Sequence, residues 1–350
     1  MKTSLSLLSL LLLFGACGSD DGDPQGGWAL NTIAPEGSYV SLSANSPNPT
    51  LVYITSGKLR FAEAPAMTPE YLYQEYVVRL ATAASRDTQG ELHAAFVDNS
   101  NKLRYLYKEA PSDTVWKTLE VDTLTSAPTA LCMRHGQDKV FIAYLAPGKV
   151  KAAIIEAGQP SVVDVDNYSN ITAEIGVGCD LDSKGIFHIS YGMSTELRHA
   201  TVSAGVATPE TITKGKLGTG LVSSLAIDAQ DRVHIAYRHR DSSNNTLQGS
   251  ARYAYHDGTS WQLSTIDTAK DTGAAIRLAL AADGTLHVVY VEEPRSEIIY
   301  ATRKADGSFE RSVVIPQNKN MASLDIALTL DAKGKPVLAI AKEGIHIASP

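Results

Sequence analysis

The 350-residue chain is short of several things, and each shortage excludes something. Beyond residue 17 no apolar run is long enough to cross a bilayer as a helix. No segment sustains a helical period, which argues against an α-helical domain. There is no Gly-x-Ser-x-Gly elbow, no His-Glu-x-x-His and no phosphate loop, so the familiar motifs for covalent, metallopeptidase and nucleotide chemistry are missing. Positive charge is in deficit: 31 Lys and Arg stand against 38 Asp and Glu, a formal net charge of −7, which speaks against a nucleic-acid partner. Cysteine is scarce, with three in all: Cys17, Cys132 and Cys179.

What the chain does have is one phrase written seven times. A short apolar strand ends in an aromatic, a loop follows, and a second strand ends in Tyr-Ala or a close variant. The closing aromatic falls at Tyr53, Phe96, Tyr144, Tyr191, Tyr237 and Tyr290, with Ile340 in the seventh copy. A strand-rich repeat of roughly 46 residues signals a propeller of small sheets. Each unit begins with a hairpin on an Asp/Gly turn, as in Asp87–Gly90, Asp182–Gly185, Asp283-Gly284 and Asp331–Gly334. Asp accepts bonds from nearby backbone N–H groups there, and Gly takes up positive φ. A third strand carries a basic position (Arg60, Arg104, Lys151, Arg198, Arg252), and a fourth often opens on an aromatic, as at Trp116, Trp261 and Phe309.

The seventh unit stops after its third strand, whereas Trp28–Ala34 reads as a fourth strand with no unit of its own. The expected fold is therefore all-β: a seven-bladed β-propeller of four-stranded antiparallel blades spanning 28–350, closed by the N-terminal strand joining the last blade. The units fill this span, leaving no room for a second domain.

The first 17 residues read as an export signal. Lys2 is followed by an apolar run over Leu5–Phe14, and Phe-Gly-Ala-Cys ends it. The segment resembles the signal peptide of bacterial lipoproteins, which implies a lipidated Cys17. Residues 18–27, with the acidic stretch Ser-Asp-Asp-Gly-Asp, fit a flexible tether. The implied place is the outer membrane, facing the periplasm or the cell surface. Cys132 and Cys179 each precede their repeat tyrosine by 12 residues, so they read as equivalent positions whose side chains point the same way round a ring. Two buried free thiols are expected, although the compartment permits a bridge.

Four histidines share one repeat position (His93, His188, His234, His287). Equivalent residues on a ring diverge, so no metal is expected, nor any cofactor; ring nitrogens bonded to an adjacent blade are the expectation. The third-strand basic residues likewise form a wide ring, engaged in bonds between blades. Met67–Tyr76 reads as a fourth strand with alternate tyrosines packed inward. Function is sought in the loops between second and third strands. Arg238, His239, Arg240 and Arg295 are the candidate ligand-binding residues there, beside an insertion at Ser242–Gly249. Glu292, Glu293 and Asp98 are the candidate catalytic carboxylates.

The repeat as a whole, Gly-x-h-His-h-x-Tyr followed by Leu-Arg-Tyr-Ala and Trp (h, apolar), resembles bacterial propellers of the sialidase-like or BNR-like group. That group contains glycosidases, lectins and lipoproteins. The resemblance implies a glycan or envelope-protein partner, with the membrane engaged through the lipid. A binding module is the expectation. A carbohydrate-active enzyme using loop carboxylates and an envelope scaffold are the alternatives.

Overall fold

The computed structural model describes residues 27–43, 48–75, 77–110, 112–126, 130–167, 176–216, 218–243, 246–269, 271–316 and 325–350, without the side chains of 78–80, 241–243, 246 and 247. The export signal, Cys17 and nearly all of the tether lie outside the described residues. So do Tyr76 and part of the Ser242–Gly249 segment.

Seven four-stranded sheets form; six run in chain order from first to fourth strand, and the seventh takes its fourth strand from the N-terminal end of the described chain. In blade 3 the strands are Leu131–Gly136, Lys139–Ala146, Lys149–Glu156 and Gln159–Asn167, all antiparallel. Blade 5 uses Ser223–Ile227, Val233–Ser243, Thr246–His256 and Trp261–Asp267. The first strand of every blade packs against the first strands of its two neighbours, and the circuit closes from blade 7 back to blade 1. Ala29–Ala34 pairs antiparallel with the last strand, Ile345–Ser349, and becomes the fourth strand of blade 7, as the sequence implied. Trp28 is buried just before it and meets the Tyr300 ring of blade 6 edge-on at 5.2 Å, so the closing segment also grips the preceding blade.

The alternation that normally marks a strand fails here because both faces of a blade are covered. Second strands such as Leu92–Asp98, Leu286–Glu292 and Pro336–Ala341 are buried at every residue. The apolar core is divided into seven clusters, one at each junction between blades. Each fully buried leucine or phenylalanine in them contributes roughly 1.5–3 kcal/mol. Among the described residues, the cluster between blades 4 and 5 is the smallest, with Leu197, Leu225, Val233, Ile235, Tyr237 and Ala254.

One local irregularity recurs in all seven blades. The fourth strand carries a bulge opposite the start of the third, and the extra residue is apolar: Ile33, Leu72, Val121, Val165, Ile212, Ile266 or Val314. A bulge bends the strand and turns two neighbouring side chains off the regular alternation. Here the apolar residue goes to the core and its follower faces the next blade. This corrects the expectation for blade 1, where Leu72 is buried while Tyr71 is exposed, stacked under the Arg60 guanidinium at 4.1 Å.

The expected pair of free thiols is also corrected. Cys132 and Cys179 form a disulfide, with Cα atoms 5.8 Å apart. Counting back from the tyrosine hid a difference in the hairpins. Cys132 pairs with Ala143, one residue before Tyr144; Cys179 pairs with Ile189, two before Tyr191. A one-residue offset reverses the face of a strand. The two sulfurs therefore point toward each other across the junction of blades 3 and 4.

Candidate functional site

The repeat tyrosines and basic residues build a regular junction. On the second strand the closing aromatic lies directly opposite the third-strand basic residue: Tyr144 with Lys151, Tyr191 with Arg198, Tyr237 with Arg252. Both reach for the residue that follows the bulge on the preceding blade. Between blades 2 and 3, Tyr144 donates to Asp122 at 2.7 Å and Lys151 to the same carboxylate at 2.8 Å. Between blades 3 and 4, Tyr191 donates to Asp166 at 2.7 Å, with Arg198 at 3.4 Å. Between blades 5 and 6, Tyr290 donates to Asp267 at 2.7 Å, and Arg311 supplies the cation. Burial first, then the adjacent carboxylate, pushes each of these phenols far above its ordinary pKa. Between blades 1 and 2, Tyr73 and Phe96 replace the pair with a ring contact at 4.8 Å.

Between blades 4 and 5 the carboxylate is missing. Thr213 holds its place in the register, opposite Leu197. A cleft of about 320 Å³ opens there, lined by Thr213, Lys214, Tyr237, His239, Arg252, Leu263, Ser264 and Thr265. Arg252 is held from behind by hydroxyls, Nε donating to Ser250 at 3.0 Å and Nη1 to Thr265 at 2.6 Å. Among the described residues no carboxylate forms a salt bridge with it. Lys214 at the rim pairs with Glu196 at 2.8 Å. His239 packs edge-on against Tyr237 at 6.2 Å. Leu263, half exposed, provides an apolar wall.

The residues singled out from the sequence fall into three groups. His239 lines the cleft. Arg238, Glu293 and Asp98 are engaged in the framework. Arg238 is buried and donates to Asp271 and Glu293, each at 2.5 Å, tying blade 5 to blade 6. Asp98 accepts from the backbone of Ser100 and Lys102 and from Arg104 at 2.8 Å; burial raises its pKa, but these bonds outweigh it and the net shift is downward. Glu292, Arg295 and Arg240 stand elsewhere on the same loops. Glu292 is buried directly opposite Glu297, and burial above all raises its pKa against the nearby exposed Arg295. Arg240 is tied through its backbone to Thr219. The Ser242–Gly249 segment is less a loop than an extension of the blade 5 hairpin, whose strands pair out to Ser243 and Thr246.

Sequence reading missed Tyr237, Lys214 and Thr213 as a site. The signal was a position in a column: Thr213 stands where Asp122, Asp166 and Asp267 stand in three other blades, while Ala34, Tyr73 and Ile315 hold it in the remaining three.

The repeat histidines bond within their own blade, not to an adjacent one as expected. Nδ1 of His93, His234 and His287 meets Tyr105, Tyr253 and Tyr300 at 2.5–2.7 Å, a diagonal neighbour on the third strand. His188 meets His199 in the same way at 3.0 Å.

No protein-family model and no curated protein sequence matches the chain. Solved structures do match in fold. A polysaccharide lyase described as a PL25 ulvan lyase superposes with a TM-score of 0.61 over 93% of both chains, at 10% identity. The Aleuria aurantia lectin in complex with Fucα1-6GlcNAc gives 0.54 at 12% identity, covering 83% of this chain and all of the lectin, whose own fold is described as six-bladed. AofleA from Arthrobotrys oligospora gives 0.52 at 9% identity over 85% of this chain. At such identities the likeness is one of architecture, and the chain is a seven-bladed propeller similar in fold to glycan-binding lectins and a polysaccharide lyase.

Proposed function

We propose that this protein is a lipid-anchored propeller of the bacterial outer membrane that binds an acidic glycan in the cleft between blades 4 and 5. One observation carries the reading. At two neighbouring junctions a tyrosine and a cation converge on an aspartate, whereas here Tyr237 and Arg252 line an open cleft with Thr213 in that place. A uronate carboxylate supplies an anionic acceptor for Arg252 in the place that an aspartate holds at those junctions. Guanidinium is the suitable group for planar, two-point recognition of it. Thr213, Ser264 and Thr265 offer hydroxyl contacts to a sugar, and Leu263 an apolar surface for its ring face. Glycan-binding neighbours in fold support the same reading. Attachment rests on Cys17 and the acidic tether after it. An envelope scaffold is less well supported, because among the described residues the large exposed apolar side chains (Leu30, Tyr71, Val115, Val162, Val206, Leu263) are spread over six different blades.

A second reading is favoured by the company Arg252 keeps. β-Elimination of a uronate needs a cation on the carboxylate, a base for the α-proton and an acid for the leaving glycosidic oxygen. Arg252, Tyr237 and His239 supply these group types in one cleft. The carboxylate candidates Glu293 and Asp98 are bound to internal cations, so elimination suits this molecule better than glycosidase chemistry.

The test is an array of neutral and uronate-bearing oligosaccharides probed with detergent-solubilised protein. Uronate-selective binding that falls tenfold or more in Arg252→Ala is expected. Release of the binding activity from the membrane fraction by Cys17→Ala is expected in the same preparation. Appearance of a conjugated alkene in bound uronates marks the lyase. Binding confined to neutral sugars, or indifferent to Arg252, rejects the site.

A further inference from the structure

The junction between blades 2 and 3 holds a second arrangement that the cleft does not explain. Asp87 lies in the first turn of blade 2, His93 on its second strand, and His135 on the first strand of blade 3. One donor atom from each falls within 4.8 Å of the others. The imidazole rings of His93 and His135 face each other at 4.9 Å. Nε2 of His93 and Nδ1 of His135 are buried and have no hydrogen-bond partner. Two orphaned ring nitrogens at one spot carry a desolvation cost that a folded protein seldom accepts without a use for it.

The remaining atoms are already arranged for ligation. The Oδ1 of Asp87 accepts from the backbone of Gln89 and Glu91, which fixes the side chain and leaves Oδ2 facing His93 Nε2 at 3.5 Å. His93 Nδ1 meets the Tyr105 hydroxyl at 2.6 Å. A ring that donates from Nδ1 presents its Nε2 lone pair, and such an outer partner orients a metal-ligating histidine. The nearest cation, Arg86, is paired with Glu63. His93 itself is buried, whereas Asp87 and His135 are only partly covered and give an ion a route in.

The other blades show what is ordinary and what is not. In blade 5, His234 meets Asp228 at 3.2 Å in the same way, so an Asp–His pair alone is part of the architecture. Only at the blade 2–3 junction, among the described residues, does a second histidine complete a group of three donors.

We propose that Asp87, His93 and His135 bind a divalent transition metal of the zinc type, which ties blade 2 to blade 3. Two imidazoles and one carboxylate suit zinc, cobalt or nickel and not calcium or magnesium, which require oxygen ligands. Tetrahedral zinc needs donor atoms about 3.3 Å apart, so small rotations of the two rings complete the site and leave a fourth position for water.

The experiment is titration of the metal-free full-length protein with zinc against a chromophoric chelator, with cobalt(II) absorption as a second readout. The wild type is expected to take up one equivalent below micromolar free zinc and to give the intense visible bands of tetrahedral cobalt. Asp87→Asn keeps the turn acceptor and removes the ligand; His135→Ala removes the second ring. Each is expected to weaken binding tenfold or more with unchanged circular dichroism, while His234→Gln leaves it unaltered. No uptake at micromolar zinc, or equal affinity in both ligand variants, overturns the proposal.

Discussion

Thr213 and Arg252 show how a single side chain decides between a joint and a cleft. At the register position of Thr213, Asp122 and Asp166 each hold a tyrosine and a cation of the next blade. Thr213→Asp is therefore expected to rebuild the joint between blades 4 and 5. The new carboxylate meets Tyr237 and Arg252 in a partly solvated cleft, so the gain in stability is on the order of 1 kcal/mol. Glycan binding is expected to fall tenfold or more, because the ligand's carboxylate has lost its place. Denaturant midpoints and the oligosaccharide array together check this; retained binding with unchanged stability contradicts it. Nothing in the local sequence Glu-Thr-Ile-Thr-Lys announces a site. The information lies in a carboxylate that three other repeats have at this position and this one lacks.

Elements were legible where they repeat and illegible where they shift by one. The displaced closing strand at Ala29–Ala34 follows from counting fourth strands, and the pairing with Ile345–Ser349 is as expected. The fourth-strand bulge escaped because an inserted Val or Ile reads as ordinary strand in phrases such as Glu-Val-Asp and Thr-Ile-Asp. The disulfide escaped for the same reason. Blade 3 turns its first hairpin through Gln137-Asp138, whereas blade 4 takes five residues between Leu181 and Phe187, so equal spacing along the chain becomes opposite facing in the sheet. The bridge links innermost strands 47 residues apart in sequence. In the unfolded chain it closes a loop of that length, and its removal is expected to cost roughly 2–4 kcal/mol. Cys132→Ser with Cys179→Ser, compared with wild type in urea, measures this. A loss below about 0.5 kcal/mol would show that the junction packing of blades 3 and 4 alone holds these strands.

Around the whole ring, the histidine column sets the response to acid. Burial first, then the neighbouring histidine, lowers the pKa of His93 and of His188 to about 4, and burial lowers those of His234 and His287. The unfolded chain protonates these rings near the ordinary value of 6.5, and the folded chain does not until much lower pH. Between those limits unfolding takes up protons, so stability present above about 6.5 is lost as pH falls toward 4. For His93 the loss is on the order of 3 kcal/mol. Carboxylates follow at lower pH. Burial raises the pKa of Asp228 and Asp267, but bonds from neighbouring backbone and side-chain donors outweigh it, and their contribution is lost only as pH drops through their lowered values. Because the histidines sit at the same level in four blades, acid acts on several parts of the ring at once, and a cooperative transition is expected instead of loss of one blade. Urea midpoints across this range are expected to fall steadily below pH 6.5, with zinc opposing the fall while His93 keeps the metal. A flat profile between pH 6.5 and 4.5 would show that these rings are already protonated in the folded ring.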